Sequence, residues 1–535
     1  MNLVSRAQTW LALPFVLLWI VSGVSPASAE KPEERLDGQP IVRIVFDRIN
    51  IFDTSQPEVD KWFYRAANSL HIISKEPFLR SMLLFTEGDL YSQHQANESA
   101  RILRGLGFIN PCEITATPVE GGVEVNVETH DQWTLQVGAN AGVFGNRKSW
   151  GIEFQETNFL GRGKKLDVEY ESDVERDSIT FGYFDPNIRG TRWRTELRYA
   201  DLTDGFLERV MVDRPFYSLA TRRAWGGIWE RGELTQYLYS LADPVVSGPA
   251  MSTKAEVWYG MRTLSNEAVT RRLSFGFTHD HTTFQQWTWE DTDELYPTPE
   301  DRLVDGPFVR FERVKDNFHV VEGFRAWNIQ EDVAMGPNVS VGATISLPAF
   351  GGDKDRYIFD GRLDVGFRSG NWLALTEAWF EGRIDDGDPA NWVVGVSAGA
   401  AQLGRRGFQF RVLYENSYNL DRDRQLPLGA EMGLRGWSPL YFDGTGRALA
   451  NAQWRTLVVS DLFHVLALGF EVFVDAGATW DPRVGPDTDG LRMDAGVGLI
   501  LGLQTIGLSN VARIEIGFPD DNSGSTLIIT TSALF

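Results

Sequence analysis

From residue 133 to the end of the chain, apolar and polar residues alternate with a period of two. The alternation is clearest in four stretches, namely residues 166–171, 193–199, 363–368 and 408–415. Successive side chains of a β-strand point to opposite faces, so this pattern predicts many strands with one apolar face each. In a soluble sandwich the apolar faces are buried, whereas in a membrane barrel they face lipid and the polar faces line a wet lumen. Alternation alone leaves both architectures open.

Length, composition and turns favour the membrane barrel. After residue 29 no apolar run reaches the ~20 residues that a membrane helix needs. The 52 glycines and 12% aromatic residues suit many strands, tight turns and aromatic girdles at a membrane surface. Connections are tight at residues 161–163 and 187–190, but longer and acidic at 173–177 and 286–306. At roughly ten residues per strand plus connections, the carboxy-terminal part of the chain accommodates about fourteen to eighteen strands.

The amino terminus has the order of a secretory signal peptide. Arg6 precedes an apolar run at residues 10–21, and Ala27 and Ala29 supply a small-x-small cleavage site. We therefore expect residues 1–29 to be a signal peptide and residues 30–39 a short polar linker. The only cysteine is Cys112, so no intrachain disulfide can form.

The formal net charge of −22 argues against nucleic acid as a partner, because phosphate binding needs clustered Lys and Arg. Much of the acid lies at residues 290–294 and 300–301. No apolar periodicity runs through these clusters, so we interpret them as solvated loops.

Residues 40–131 differ from the rest in pattern and predict a small α+β domain. A β-rich run at residues 41–46 is followed by helical spacing from 59 to 70. A second helix is predicted after Ser92, which has Gln95 three residues later as in a capping box. Strands at residues 113–117 and 123–128 complete a β-α-α-β-β unit.

Two families of motif carry a resemblance to known proteins. Residues 84–91 and 98–109 resemble a POTRA domain, the periplasmic module of outer-membrane assembly factors and related secretion pores. Four further motifs resemble the barrel of the BamA and TamA type of assembly factor: residues 158–163, 184–186, 433–437 and 473–477. The resemblance implies a POTRA domain at residues 40–131 and an outer-membrane β-barrel of about sixteen strands at residues 132–535.

The same resemblance implies a site inside the barrel. Arg435, Gly436 and Trp437 match the arginine-glycine-aromatic turn of the sixth extracellular loop, and Asp475 matches the strand residue that holds this arginine in the lumen. Gln453 stands where the family often has a second acid, so Asp475 is expected to be the only carboxylate at Arg435. An arginine presents five donors in a planar fork and keeps its charge, which suits a loop fixed to one carboxylate.

The resemblance implies a function in the insertion or translocation of proteins at the bacterial outer membrane. Membrane lipid and client polypeptides are the expected partners, and the POTRA domain is expected to lie in the periplasm. Client strands would add to the POTRA strand at residues 123–128 by β-augmentation. The barrel would open between its first strand, residues 134–142, and its last, residues 526–535. The terminal Phe535 resembles the recognition signal of bacterial outer-membrane barrels. Client identity, a lipid substrate and periplasmic accessory proteins stay open.

Two alternatives remain at this stage. A two-partner secretion pore would export a dedicated substrate, but such pores usually carry a plug helix and two POTRA domains. A passive channel or adhesin would explain the barrel without explaining the POTRA motif or the Arg435 turn.

Enzymatic and metal-binding signals are weak. Ser397 lies in a G-x-S-x-G pattern, which as a nucleophile elbow needs a strand-turn-helix setting, yet residues 392–401 have the pattern of a strand. His279 and His281 share one strand face, where a pair at the membrane boundary is the favoured interpretation. We therefore expect neither an enzyme nor a cofactor.

Overall fold

The computed structural model describes residues 36–144, 147–173, 175–266, 268–327, 329–486, 490–503 and 511–530. The predicted signal peptide, most of the predicted linker and Phe535 lie outside the described residues.

The described residues contain three α-helices, all in the amino-terminal part: α1 (Trp62–Leu70), α2 (Glu76–Met82) and α3 (Gln93–Arg104). The strands are β1 (Ile41–Ile49), β2 (Ile109–Val119), β3 (Gly122–Asp131), β4 (Leu135–Phe144), β5 (Arg147–Phe159), β6 (Lys164–Ser172), β7 (Asp177–Asp185), β8 (Arg194–Leu202), β9 (Gly205–Arg214), β10 (Arg223–Ser240), β11 (Asp243–Ser265), β12 (Val269–Phe284), β13 (Trp287–Trp289), β14 (Leu295–Tyr296), β15 (Arg302–Lys315), β16 (Phe318–Glu322), β17 (Gln330–Ala334), β18 (Asn338–Ser346), β19 (Arg356–Ser369), β20 (Trp372–Asp385), β21 (Asp388–Gln402), β22 (Arg406–Tyr418), β23 (Gly446–Leu462), β24 (Leu466–Trp480), β25 (Arg492–Leu503), β26 (Val511–Pro519) and β27 (Thr526–Thr530).

Residues 36–131, here called the amino-terminal domain, form a three-stranded sheet covered by helices. The strand order is β1-β3-β2, with β1 parallel and β2 antiparallel to the central β3. The sequence analysis missed α2, a seven-residue helix too short to show a periodic apolar face. The predicted capping box at Ser92 is wrong: Ser92 precedes α3 but makes no side-chain cap. The Gln93 amide donates to the carboxylate of Asp37 at 2.8 Å.

Most of the strands after residue 131 pair in one closed antiparallel barrel, and the sheet that they form is here called the wall. Within the described residues the wall has twenty strands, β4 to β12, β15 and β18 to β27, while β13 and β14 form a side hairpin in a loop. The expectation of about sixteen strands is therefore wrong. Several neighbouring strands are connected by only two residues, at 203–204, 241–242, 370–371 and 386–387. Such short connections leave more residues for strands than the sequence estimate assumed.

The exposure of the side chains distinguishes a membrane barrel from a soluble sandwich, which the alternation alone could not do. Along β22 the apolar residues lie outside and the polar ones inside: Phe410 is 43% exposed, whereas its neighbour Gln409 is 1% exposed. The same inversion holds on β6, where Val168 is exposed and Asp167 is buried. A soluble sandwich would bury the apolar set, so this barrel presents its apolar face to lipid. Within the described ranges, no helix is both long and apolar enough to cross a membrane.

The amino-terminal domain packs against one mouth of the barrel, here called the domain end; the opposite mouth is the far end. The Lys75 amide donates to the Gly161 carbonyl at 2.9 Å, and Asn158 donates to the Ser74 hydroxyl at 2.9 Å. Gly161 has φ +69°, and a Cβ there would lie 2.6 Å from the Ile73 carbonyl oxygen, so this turn requires glycine.

A buried carboxyl completes this junction. Asp131, the last residue of β3, accepts from the Ser74 amide at 2.6 Å and from the Ser74 hydroxyl at 2.8 Å. Burial raises the pKa of Asp131 to about 6. The domain thus meets the barrel through backbone and buried polar contacts, which fix its position over the mouth.

Candidate functional site in the barrel lumen

Residues 419–445, here called the Arg435 loop, leave the far end of the wall between β22 and β23 and fold into the lumen. Arg435 is 4% exposed and meets Asp475 of β24 through two parallel hydrogen bonds, from Nε at 2.8 Å and from Nη2 at 2.9 Å. Asn451 of β23 donates both to the Gly433 carbonyl at 2.6 Å and to Asp475 at 2.7 Å. The bidentate geometry fixes the orientation as well as the position of the turn.

A second carboxylate, Glu515 of β26, accepts from Nη1 of Arg435 at 2.7 Å. The expectation that Asp475 is the only carboxylate at this arginine is therefore wrong, since the second acid comes from another strand than the one expected. The ring of Phe473 lies 3.6 Å from the guanidinium carbon and adds a cation–π contact. Arg513 and Glu515 are polar residues that alternate with apolar ones along β26, so both are expected on the lumen face. This pattern could have predicted that Glu515 lies in the lumen, but the sequence analysis did not use it.

The other two residues of the predicted turn also pack into the wall. Gly436 lies so close to β25 that a Cβ would be 2.4 Å from the Asp494 Cβ, so a larger residue would displace the turn. The Trp437 indole is buried and donates to the Met493 carbonyl at 3.3 Å.

Gln453 joins the Arg435 turn to Gln409 on the neighbouring strand β22. Its amide oxygen accepts from Arg435 at 3.1 Å, and its amide nitrogen donates to the Gln409 side chain at 2.6 Å. Gln409 in turn donates to the Phe324 carbonyl at 3.1 Å. A carboxylate at position 453 has no hydrogen to donate, so only an amide completes this chain.

Phe324 belongs to an insertion at the domain end, residues 316–337 between β15 and β18, here called the lumen hairpin. Its strands β16 and β17 pair with each other, and its tip enters the barrel. Arg455 of β23, 2% exposed, donates to the carbonyl oxygens of Gly323 and Phe324. Trp327 is buried with four wall residues, which are Leu457, Ala467, Ile500 and Val511.

Polar contacts tie the outer part of the lumen hairpin to the amino-terminal domain. Arg104 of α3 meets Asp332 bidentately, at 2.7 Å from Nε and 2.6 Å from Nη2. Asn110 donates to the Gln330 carbonyl at 2.8 Å. The hairpin is thus held between the domain outside the barrel and the wall inside it. Sequence reasoning did not identify it, because its strands have only five residues each.

The last wall strand β27 pairs with the first wall strand β4, and this pairing, here called the seam, closes the barrel. In the described residues it joins four residue pairs, from Thr526 with Phe144 to Ile529 with Ala141. The Thr526 hydroxyl donates to the Arg435 carbonyl oxygen. The Arg435 turn therefore contacts the strand that closes the barrel.

Other sequence candidates lie apart from this cluster. Ser397 lies within β21 and pairs with Glu377 and Leu413, which is a strand setting without an elbow. The ring of His279 lies 2.7 Å from an Asp305 oxygen, and the described residues contain no group of three or more ligand-type side chains arranged to hold a metal ion.

No protein-family model and no curated protein matches the chain. Among solved structures, BamA from Haemophilus ducreyi lacking POTRA domains 1–3 has 14% sequence identity and a TM-score of 0.37, covering 91% of this chain and 82% of that one. CdiB from Acinetobacter baumannii has 11% identity and a TM-score of 0.44, covering 92% and 74%. CdiB from Escherichia coli has 11% identity and a TM-score of 0.46, covering 95% and 92%. At these identities and scores the likeness carries no argument about function.

Asp475→Asn removes the main charge partner of a buried arginine and is expected to lower the free energy of unfolding by about 3 kcal/mol. Denaturant titration in micelles measures this loss. Tryptic cleavage after Arg435, which burial suppresses in the native protein, should appear in the variant. Asp364→Asn, at an exposed pair with Arg362, is the matched control and should cost less than about 1 kcal/mol. Equal stability and equal protection of Arg435 in both variants would contradict the anchor.

Gln453→Glu keeps an acceptor for Arg435 but removes the donor to Gln409. We expect Arg435 to stay protected from trypsin while the lumen hairpin loosens, since losing a buried hydrogen-bond partner costs about 1 to 3 kcal/mol. Planar-bilayer recording should show a higher open fraction. Gln155→Glu, which alters a glutamine pair with Gln136 elsewhere on the wall, is the control. An unchanged open fraction, or release of Arg435, would refute the linking role of Gln453.

Proposed function

We propose that this protein inserts or translocates polypeptides at the bacterial outer membrane, with the amino-terminal domain in the periplasm and the Arg435 loop on the outer side. The observation that carries the proposal is a barrel whose lumen holds two inserted segments, one of which contacts β27, the strand that closes the wall against β4. A barrel that serves as an open channel needs a water-filled lumen, whereas here the Arg435 loop and the lumen hairpin enter the lumen from opposite ends.

The seam offers client strands a place to pair. In the described residues Thr526–Ile529 of β27 pair with Ala141–Phe144 of β4, and separation of this pairing would expose backbone donors and acceptors on the β4 edge. A cavity of about 390 Å³ lies inside the wall here, lined by residues of β4, β27 and the Arg435 loop. Hydrogen bonding of a client strand to β4 would drive insertion without covalent chemistry, so we propose no enzymatic role.

The predicted role of the strand at residues 123–128 in client capture is wrong. These residues lie in β3, the centre of the sheet, where β1 and β2 occupy both edges. The start of β1 is further covered, since the Ile41 amide donates to the Asp89 carbonyl at 2.8 Å. We assign client capture to the outer edge of β2 instead. Pro118 on β2 has no amide hydrogen, which shortens the usable edge.

A two-partner secretion pore is the second candidate, and the lumen hairpin is the observation in its favour. Withdrawal of this hairpin into the periplasm would open a route along the barrel axis, as a removable plug does. Seam and hairpin thus define two different exits, sideways into lipid or through the lumen.

Asp332→Arg places two guanidinium groups together at the domain contact of the lumen hairpin. We expect repulsion to loosen the hairpin and raise the open fraction in planar-bilayer recordings. The double variant Arg104→Glu/Asp332→Arg restores opposite charges and should return the current towards the native level. Glu124→Arg, at an exposed ion pair with Arg43 in the same domain, is the control. If Asp332→Arg leaves the current unchanged, the contact does not hold the plug.

Locking the seam tests sideways release. Ala141→Cys with Ile529→Cys places cysteines on paired residues of β4 and β27, and native Cys112 is buried and does not compete. Folding of a urea-unfolded eight-stranded barrel into proteoliposomes is the assay. The reduced variant should accelerate folding of the client barrel. Oxidation, which joins the two cysteines in a disulfide, should abolish this acceleration, and reduction should restore it. Val168→Cys with Phe181→Cys, on the β6–β7 ladder, is the matched control. Full acceleration in the locked form would refute lateral insertion and favour the lumen route.

A further inference from the structure

A pocket of about 560 Å³ lies where the amino-terminal domain meets the periplasmic rim of β9 and β10. Its wall on the barrel side is basic, with Arg192, Arg214, Arg222 and Arg223. In the described residues, none of these four arginines forms an ion pair, although acidic residues outnumber basic ones by 73 to 51 in the chain. Asp89, a carboxylate at the rim, already accepts from Thr86 at 2.7 and 3.0 Å.

Two of these arginines are held in place by aromatic rings and backbone, so their charges are oriented before any ligand arrives. The guanidinium carbons of Arg192 and Arg214 lie 4.8 and 5.3 Å from the centre of the same Tyr217 ring. Arg214 also lies 5.3 Å from the Trp225 ring. Arg192 donates to the Leu83 carbonyl at 2.5 Å, and burial together with Arg214 lowers its pKa. Two neighbouring cations without a counter-ion favour an anionic ligand.

The strand register places this charge on the outer surface of the barrel. Arg214 continues the outward face of Val210 and Val212, both exposed apolar residues of β9. Its cross-strand partner is Trp225, which continues the outward face of Trp229 on β10. The arginines therefore stand at the end of the lipid-facing band, at the level of phospholipid headgroups.

An apolar groove of about 540 Å³ lies on the outer wall and begins two residues beyond Arg214 and Trp225 along β9 and β10. It is lined by side chains that face lipid, among them Val210, Val212, Trp229, Val257 and Phe277. A phospholipid would match both features, because its phosphate would bind the arginines of the pocket and its acyl chain would lie in the apolar groove.

We propose that this pocket binds the phosphate headgroup of an anionic phospholipid from the periplasmic leaflet, with one acyl chain in the adjoining groove. The lipid bridges the amino-terminal domain and the barrel rim, because the same pocket is lined by Leu84, Phe85 and Thr86 of the domain. This inference rests on the proposed function only for the assignment of this rim to the periplasmic side, whereas the charge and the groove belong to the outer surface and not to the lumen.

The test uses the full chain in neutral detergent. Native mass spectrometry measures the lipid retained after incubation with equimolar phosphatidylglycerol and phosphatidylcholine. The native protein should retain phosphatidylglycerol preferentially, and Arg214→Gln/Arg223→Gln should reduce that retention by at least about tenfold, since each basic residue near a membrane surface contributes about 1 kcal/mol. Heat-modified migration in gels verifies that the variant barrel is folded.

Arg231→Gln is the matched control. Arg231 lies on the same strand β10 and over the Phe206 ring at 5.4 Å, but towards the far end of the barrel. It should leave retention unchanged. A second arm replaces lipid with inorganic phosphate and measures the thermal unfolding midpoint. Protection by phosphatidylglycerol but not by phosphate supports a lipid site. Equal protection by free phosphate, or equal lipid retention by the native protein and the double variant, overturns the proposal.

Discussion

One buried arginine holds the inner architecture of this barrel together. Arg435 reaches Asp475, Gln453 and Glu515, which belong to β24, β23 and β26. A cation enclosed in a protein interior is stable only where carboxylates and hydrogen-bond acceptors surround it, so the loop that carries it has a single low-energy position. Backbone hydrogen bonds join each wall strand only to its two neighbours. The side chain of Arg435 adds a connection among three strands of the wall.

From this anchor the hydrogen bonds continue across the lumen to the opposite mouth. Gln453 and Gln409 carry the connection from the Arg435 turn to the lumen hairpin, and Arg104 carries it on to the amino-terminal domain. Elements at the two ends of the barrel therefore share one network.

Sequence reasoning reached the parts of this protein that depend on local pattern. Alternation on strands such as β22 predicted the barrel, and the motif around Arg435 with Asp475 predicted which residues meet in the lumen. It failed where the answer depends on long-range geometry. Glu515 comes from a distant strand, and the strand count depends on how little chain each turn uses. The place of β3 at the sheet centre follows from pairing order, which periodicity does not contain.

The number of wall strands has a consequence for permeability. The diameter of a closed sheet grows with strand number, so twenty strands enclose a cross-section that inward side chains alone leave hollow. Two separate segments, the Arg435 loop and the lumen hairpin, enter that space from opposite mouths. Leakage of small molecules through the barrel therefore depends on both segments, and a mutation that trims either one would make the barrel porous even with every wall strand intact.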